Sequence, residues 1–311
     1  MHTLLSIIAN FVYFICYNLL MKKNTYEKRT KIANDAMNYI YKYIDTDINI
    51  DDLSIELNIS KFHLHRIFKD EFGKNIYESI KSIRLQKASN LLLTNKYSTI
   101  SNIVNQCGYS SQSSFIKIFK ERFEMSPKEW KNGGYKEYSK KILQQSQKAM
   151  QSKANFNDMV PSIVKMPAIE SFYIRNKGYN VNIKETWQKL QTWVLTNNIT
   201  SYRRIALFHD NPTITPLHDC QYIGCIVVDD KESVKSDRLP KFKIAEGVYA
   251  KFDLKGKTGD VLPFIHWVYH EWLPKSEYET TTKPSYAVYK KLDFFDENNE
   301  FELSFYVSIN F

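Results

Sequence analysis

The chain contains the same ten-residue pattern twice. Ser60–Lys69 reads SKFHLHRIFK and Ser111–Lys120 reads SQSSFIKIFK, so each copy begins with serine and ends with Ile-Phe-Lys. In both copies the apolar residues recur at three- and four-residue spacing, which predicts a helix with one buried face and one exposed face. The exposed positions differ between the copies and are polar or basic, apart from Phe62 and Ile116. Because Ile116 is apolar, we expect it to pack against the protein. A constant buried face with a variable exposed face predicts two equivalent units that present different surfaces, as in repeated nucleic-acid-binding heads.

A short helix and a tight turn precede each copy. Asn58 and Gly108 occupy the same place in the two turns, and both residue types tolerate the left-handed backbone that such a turn requires. Ser60 is the expected N-cap of the first repeated helix. The preceding short helices begin at Asn49 or Asp51 in the first unit and at Thr99 or Ser101 in the second. The residues expected to face the core are Leu64, Ile67 and Phe68 in the first repeated helix and Phe115, Ile118 and Phe119 in the second.

Longer helices support and connect the two helix-turn-helix units. Residues 28–44 carry apolar side chains at helical spacing and predict a supporting helix. Residues 76–93 predict a connecting helix with Asn75 as its N-cap, and Ser126 is the matching N-cap in the second unit. A helix of this length spans about 27 Å, close to the spacing of about 34 Å between successive major grooves. The connecting helix is therefore expected to place the two units in neighbouring major grooves of DNA.

The net charge of +9 lies entirely in the first half of the chain. Residues 22–155 hold 24 Lys and Arg against 14 Asp and Glu, whereas residues 156–311 hold 19 against 20. Such a distribution is expected of a nucleic-acid-binding half joined to a neutral half. Charge alone leaves open the alternative of a solvated, lysine-rich surface.

The repeated pattern also resembles a known family. Residues 40–132 are similar to the DNA-binding domain of the AraC/XylS family of bacterial transcription regulators. The resemblance rests on Ile59–Lys69, Arg84–Ala88, Ile103–Phe115, Phe119–Lys120, Phe123 and Ser126–Lys128. It implies a cytoplasmic, non-enzymatic protein that binds double-stranded promoter DNA and has RNA polymerase as a partner.

The resemblance assigns base-facing positions to both repeated helices. They fall on Phe62, His65 and Arg66 and on Gln112, Ser113 and Lys117, and Lys61 projects from the same exposed face as the first group. Arginine and lysine pair with guanine edges or phosphates, and glutamine pairs with adenine. The candidate DNA-binding residues are therefore Lys61, Phe62, His65, Arg66, Gln112, Ser113 and Lys117.

The second half of the chain has a different texture. Segments with strand character alternate with two helical segments, 183–196 and 261–272, and the order strand-helix-strand-strand-helix-strand predicts an α+β domain with an antiparallel sheet. The predicted strands are 162–167, 170–175, 205–208, 222–228, 247–253, 285–289 and 302–307. The predicted fold class is multidomain, with an all-α double helix-turn-helix domain followed by this α+β domain.

This half resembles the GyrI-like small-molecule-binding domain of Rob-type and BmrR-type regulators. The resemblance rests on Asp210–Pro212, Thr215–Pro216, Asp219–Tyr222, Cys225, Gly247–Ala250 and His270–Ser276. It implies a cleft with aromatic walls and an acidic residue that binds a small hydrophobic or cationic effector. The candidate ligand-binding residues are Tyr173, Trp187, Tyr249, Phe252, Trp267, Trp272, Tyr289, Glu302 and Tyr306.

The acidic residues of the family's cleft have no direct counterpart in this chain. Their positions hold Ala287 and Ser304, which puts a cationic ligand in doubt. Glu302 lies two residues from Ser304, on the same strand face, and is the candidate substitute. Two alternatives stay open for this half: a small-molecule hydrolase, which the missing acids argue against, and a module that inhibits a protein such as a topoisomerase.

The domain organisation follows from these segments. A double helix-turn-helix domain occupies residues 28–132, a basic linker that we expect to be a partly ordered tether occupies 133–157, and the GyrI-like domain occupies 158–311. Residues 1–21 contain no charged residue and precede two lysines, so they are either a membrane anchor or an over-called start upstream of Met21.

Neither a cofactor nor a metal is expected. Four scattered cysteines without a Cys-x-x-Cys pair favour reduced thiols over a disulfide framework or a zinc site. His266 and His270 have the helical spacing of a metal pair, but the sequence offers no evident third ligand, and a buried or interface role is favoured.

Overall fold

The computed structural model describes residues 25, 27–179, 182–229, 234, 239–292 and 300–310. The chain divides into two compact units, one formed by residues up to Tyr43 with Asp47–Ile80 and the other by Ile44–Thr46 with Lys81–Phe311. The apolar segment 1–21 lies outside the described residues. Over the part of the chain that is described, no helix combines the length and apolarity needed to cross a membrane.

The first unit is the first helix-turn-helix. It contains α1 (27–42), α2 (Ile50–Glu56), α3 (Lys61–Phe72) and the start of α4 (Ile76–Thr94). Asn49 caps α2 and Ser60 caps α3, each by accepting a backbone N–H, and Asn58 makes the turn between them with a φ of 51°. Leu64, Ile67 and Phe68 are buried, as the helical spacing predicts.

The second helix-turn-helix repeats these devices inside the second unit. It contains α5 (Ile100–Gln106), capped by Thr99, and α6 (Gln112–Phe123), capped by Ser111. Gly108 makes the turn with a φ of 74°. Each repeated helix ends in a left-handed residue, which is Gly73 in α3 and Glu124 in α6.

The segment after α6 is helical and packed, which differs from the expected tether. It contains α7 (Pro127–Glu129), a π-helical turn (Trp130–Gly134), α8 (Tyr135–Leu143) and α9 (Gln147–Met150). Tyr135, Ser139 and Ile142 are buried along one face of α8. The apolar and small residues are few, but they share one face, and that is enough to hold the helix against a neighbour.

The sheet of the second unit is antiparallel throughout its described pairings. In order along the sheet, eight described strands run β1-β6-β9-β8-β3-β4-β2-β5, and β7 pairs with β9. The strands are β1 (Ser162–Met166), β2 (Ile169–Lys177), β3 (Tyr202–Phe208), β4 (Gln221–Val228), β5 (Lys241–Ile244), β6 (Gly247–Lys257), β7 (Glu279–Thr280), β8 (Ser285–Leu292) and β9 (Glu300–Asn310). The helices that accompany them are α10 (Asn182–Thr196) and α11 (Val261–Trp267), which continues through a π-helical turn (Val268–Trp272) into α12 (Leu273–Lys275).

Alternation along the strands gives the sheet two different faces. On one face, side chains such as Phe252 and Phe305 join α10 and α11 in a single hydrophobic core that also includes Leu91, Phe119 and Trp130 of the second helix-turn-helix region. On the other face, the described members of a second cluster all lie on strands. We call this second face, which carries Tyr173, Tyr249, Tyr286 and Tyr306, the groove face, after the cleft that the resemblance implies. Because one core runs through α4–α8 and the sheet, the second helix-turn-helix and the α+β region form one folded body.

Candidate DNA-recognition helices and groove face

The exposed face of α3 is built from unlike side chains. Phe62 is 79% exposed and Arg66 is exposed, so both are available to a partner surface. His65 is half-buried, and its ring centroid lies 5.7 Å from that of Tyr77 at the start of α4. Lys61 forms an ion pair with Asp51 at 2.9 Å. Within the part of the chain that the structure describes, the strongest unengaged hydrogen-bonding group on this face is therefore the Arg66 guanidinium, which has five N–H donors.

The exposed face of α6 has shorter side chains. Gln112, Ser113 and Lys117 are all exposed, and the Ser113 hydroxyl lies 2.9 Å from that of Ser111. Ile116 is partly buried against the main core, as its apolar character predicts. Lys117 is the sole cation among the candidate residues of α6, so this helix offers less hydrogen-bonding reach than α3.

Three of the predicted ligand-binding aromatics share the groove face. Tyr173, Tyr249 and Tyr306 belong to its buried cluster. The sequence interpretation missed Tyr286, which is opposite Tyr306 in the β8–β9 register and stacks on it with 4.5 Å between ring centroids. The alternation of β8 could have identified it, since Tyr286 lies one residue from Ala287 and therefore faces the other way.

The tyrosine hydroxyls of this cluster differ in their hydrogen bonding. Tyr249 donates its hydroxyl to the carbonyl of Ala245 at 2.7 Å, and burial raises its pKa to about 12. The Tyr286 side chain is fully buried, and its hydroxyl has no hydrogen-bond partner among the described residues. Burial raises the pKa of Tyr286 well above its usual value. A buried hydroxyl without a partner is costly, so it marks a place where a bound polar atom would be favourable.

One end of the groove face is charged, and its acid is Asp253. The carboxylate of Asp253 accepts a hydrogen bond from Ser304, its register partner, at 2.5 Å. It also lies 2.9 Å from Lys290 and 3.0 Å from Lys251. The Ser304 hydrogen bond and the two ammonium groups hold the pKa of Asp253 well below its usual range. The sequence interpretation noticed that Ser304 replaces an acid but missed that the neighbouring strand supplies one.

Glu302 lies on the same face as Ser304, as alternation predicts, but its carboxylate is engaged with surface lysines. Its distances are 3.1 Å to Lys255 and 3.8 Å to Lys290. Asp253, which lies directly across from Ser304, is closer to the tyrosine cluster in register than Glu302 is.

The remaining predicted aromatics lie on the opposite face of the sheet, under the helices. Trp187 donates its indole N–H to the Tyr222 hydroxyl at 2.8 Å and packs against Tyr289. Phe252 packs edge-on to Trp272 at 4.9 Å and also contacts Trp267. The nine candidate ligand-binding residues therefore lie on opposite sides of the sheet and do not form one site.

His266 and His270 have rings stacked 4.1 Å apart and nearly parallel. The Nε2 atom of His270 lies 3.2 Å from the Ser139 hydroxyl and 3.0 Å from the Thr213 hydroxyl. Burial lowers the pKa of His270 to about 2, so the ring is neutral at ordinary pH. Within the described ranges, no group of three potential ligand residues is arranged to hold a metal ion.

Comparison with known proteins matches both regions. Residues 53–133 match the helix-turn-helix domain family, and residues 159–309 match the GyrI-like small molecule binding domain family. The probable transcription factor PqrA of Proteus vulgaris is 34% identical over 109 residues, covering 33% of this chain and 88% of PqrA. The chain belongs to the AraC family. It joins the double helix-turn-helix of that family to a C-terminal GyrI-like domain, which confirms the predicted fold class.

Other AraC-family proteins match over the same region. The xylose operon regulatory protein of Escherichia coli K12 is 34% identical over 97 residues, covering 31% of this chain and 24% of that protein. Thus the match spans about a quarter of that regulator's length. The C-terminal domain of AraT, a response regulator from Geobacillus stearothermophilus, is 30% identical, with a TM-score of 0.31, and covers 32% of this chain and 84% of that domain.

Proposed function

We propose that this protein is a sequence-specific DNA-binding transcription regulator whose C-terminal domain binds a small hydrophobic molecule. The observation that carries the proposal is the pair of equivalent helix-turn-helix units. Both have capped helices and a left-handed turn residue, and both expose a polar face on the second helix. Family membership and the basic charge of the first half support the same function.

The two recognition helices have unequal roles in this proposal. Arg66 and His65 of α3 supply base contacts, and Phe62 packs on thymine methyl groups. Lys117, Gln112 and the serine-rich start of α6 mainly contact the phosphate backbone, which positions the protein without reading sequence. RNA polymerase is the partner that the DNA-bound region recruits.

The effector site in this proposal is the groove face. Tyr249, Tyr286 and Tyr306 provide flat apolar walls, and the unpartnered Tyr286 hydroxyl provides one hydrogen bond for orientation. A cationic effector would have to displace Lys251 and Lys290 from Asp253. An uncharged aromatic ligand with one hydroxyl or carbonyl group suits this surface better.

Hydrolysis of a small electrophile is a poorer fit to the same residues. A general base needs a pKa near the working pH. The pKa of Asp253 is held far below that range by Ser304 and two lysines, so this carboxylate is a weak base. No specific observation favours inhibition of another protein.

DNA binding is tested by selecting duplexes from a random library with the full chain. We expect enrichment of a composite motif with one box for each recognition helix. Arg66→Ala should then raise the dissociation constant for the selected duplex about 5- to 150-fold, equivalent to about 1–3 kcal/mol. Lys243→Ala, which removes one positive charge from an exposed position on β5, is the matched control and should leave affinity nearly unchanged. If no motif is enriched, or if both variants bind equally, sequence-specific recognition by α3 is refuted.

The groove is tested with 2-naphthol, a planar aromatic molecule with one hydroxyl, by its own fluorescence. Tyr286→Phe removes the unpartnered hydroxyl and should weaken binding about 5- to 10-fold, since one hydrogen bond contributes about 1 kcal/mol. Tyr289→Phe makes the same change on the opposite face and should have no effect. Equal loss in both variants, or in neither, would contradict this location of the site.

A further inference from the structure

The second helix-turn-helix is joined to the sheet through a buried set of polar contacts. Asn95 and Ser98 lie between α4 and α5, and Glu279 and Thr280 form the short strand β7. The Asn95 amide donates to the Thr280 carbonyl and accepts from the Thr280 N–H, both at 3.0 Å. We call these contacts, with those of Glu279 described next, the seam. Asn95 is 2% exposed and Thr280 is 4% exposed, so water does not compete for these hydrogen bonds.

Glu279 fixes the entry to the second helix-turn-helix. Its carboxylate accepts the backbone N–H groups of Tyr97 at 2.7 Å and Ser98 at 3.0 Å, and the Ser98 hydroxyl at 2.7 Å. These residues lead directly into Thr99, the N-cap of α5. Three hydrogen bonds to one nearly buried carboxylate hold the backbone more firmly than neutral contacts would, because charge-assisted hydrogen bonds are the stronger class. The position of α5 therefore depends on where β7 lies.

The position of β7 depends in turn on a wall of the groove. Thr280 pairs with Ile309 of β9, and the Thr281 hydroxyl donates to the Ser308 hydroxyl at 2.8 Å. Ser308 is the register partner of Tyr249 and lies two residues from Tyr306. Only a few residues of β9 therefore separate the stacked tyrosines from the seam. By contrast, the chain connection through α8 and α9 runs over more than twenty residues.

We propose that the seam is the element through which the groove face and the second DNA-recognition helix influence each other, with Glu279 as its positioning residue. This proposal rests on the proposed function. A ligand inserted between Tyr286 and Tyr306 must move β9 or β8. Because β7 is hydrogen-bonded to β9, that movement shifts Glu279 and the start of α5. In this proposal a ligand on the groove face controls DNA binding through the seam contacts with the second helix-turn-helix, not through the linker.

Coupling between two binding sites is reciprocal, so DNA can serve as the probe when the effector is unidentified. The experiment is hydrogen exchange on the full chain, with and without a saturating duplex selected by the wild-type protein. We expect DNA to slow amide exchange in β7 and in residues 303–309 of β9 by at least about fivefold, the lower end of typical couplings. These residues include the groove wall, which a DNA-binding surface has no direct reason to protect.

Three variants distinguish coupling through the seam from direct contact with DNA. Glu279→Gln keeps the size of the side chain but removes its charge and one acceptor oxygen, and it should abolish most of the DNA-dependent protection of β9. Glu277→Gln makes the same change at an exposed neighbouring residue and should retain that protection. If Glu279→Gln fails to fold, Thr281→Val tests the same link, since it removes the hydroxyl that donates to Ser308 and accepts the Lys283 N–H.

The outcomes distinguish this proposal from the proposed function. Unchanged exchange in β9 of the wild-type protein at saturating DNA would overturn the coupling while leaving DNA recognition intact. Protection that persists fully in Glu279→Gln or in Thr281→Val would also overturn it. If no duplex is enriched in the selection, the proposed function fails before the seam is tested.

Discussion

Asn95→Ala is the most informative single change to the stability of the second unit. The Asn95 amide satisfies both the N–H and the carbonyl of Thr280, and its oxygen also accepts from the Thr94 hydroxyl at 2.7 Å. Truncation leaves two backbone groups buried without their partner. Each such group costs about 1–3 kcal/mol, so the free energy of unfolding should fall by about 2–6 kcal/mol.

The assay is urea denaturation followed by tryptophan fluorescence. All five tryptophans of the chain lie beyond residue 129, so their emission reports the second unit and is insensitive to the first. Asn105→Ala removes an exposed asparagine from α5 and should change stability by less than about 0.5 kcal/mol. A loss for Asn95→Ala below about 1 kcal/mol, with an unchanged dependence on urea, would refute the account of the seam as a tightly satisfied polar contact.

Three further predictions test other parts of the structure. Arg66→Ala should relax the base preference in the selected motif. Lys117→Ala should weaken binding to all duplexes alike and reduce the slope of log affinity against log salt concentration by about one, the value for one lost phosphate contact. Equal loss of base discrimination in the two variants would contradict the division of roles. Glu124→Gly should stabilise the second unit by about 1 kcal/mol, because glycine adopts the left-handed C-cap with a φ of 59° without steric cost; a destabilised variant would show that the Glu124 side chain makes an overlooked contact. Burial raises the pKa of Asp210 from 3.8 to about 6, so the folded state holds the extra proton in this range, and stability should decline as pH rises from about 4 to about 6. Asp210→Asn should remove that decline, and an unchanged pH profile of urea midpoints would contradict the assignment.

The sequence predicted the helix-turn-helix region in detail because its signals are local. Caps such as Ser60 and turn residues such as Asn58 and Gly108 act on neighbours within four positions, so their residue types are sufficient evidence. The buried face of α3 was also correct, since helical spacing alone defines it. On the sheet, β1 and β4 were predicted to within one residue of their observed bounds, whereas β6 was predicted to end at 253 and continues to Lys257.

The groove and the seam depend on contacts between distant segments. Periodicity could not tell which of the aromatic residues share a face with Tyr306, because that depends on strand register. Asp253 could be placed beside Ser304 on the groove face only once the register between β6 and β9 was known. The strands β5 and β7 were missed since each is short, and two-residue β7 has no pattern to detect. Similarly, α8 was expected to be loosely held because its segment has few apolar residues. Its contact with His270, more than a hundred residues further along the chain, could not be seen in the sequence.

The place of β9 in the sheet has a consequence for how the protein is made. This strand lies between β6 and β8, so the sheet cannot be completed until residues 300–310 have left the ribosome. Contacts within the first helix-turn-helix, such as that between Arg29 and Asp70, span 41 residues, so this unit can fold during synthesis. The second helix-turn-helix is synthesised soon afterwards. Its apolar residues that pack against the sheet stay uncovered until roughly two hundred further residues have been made. Newly synthesised chains therefore pass through a stage in which the first helix-turn-helix is folded and the second is not. Protection by chaperones matters most at this stage.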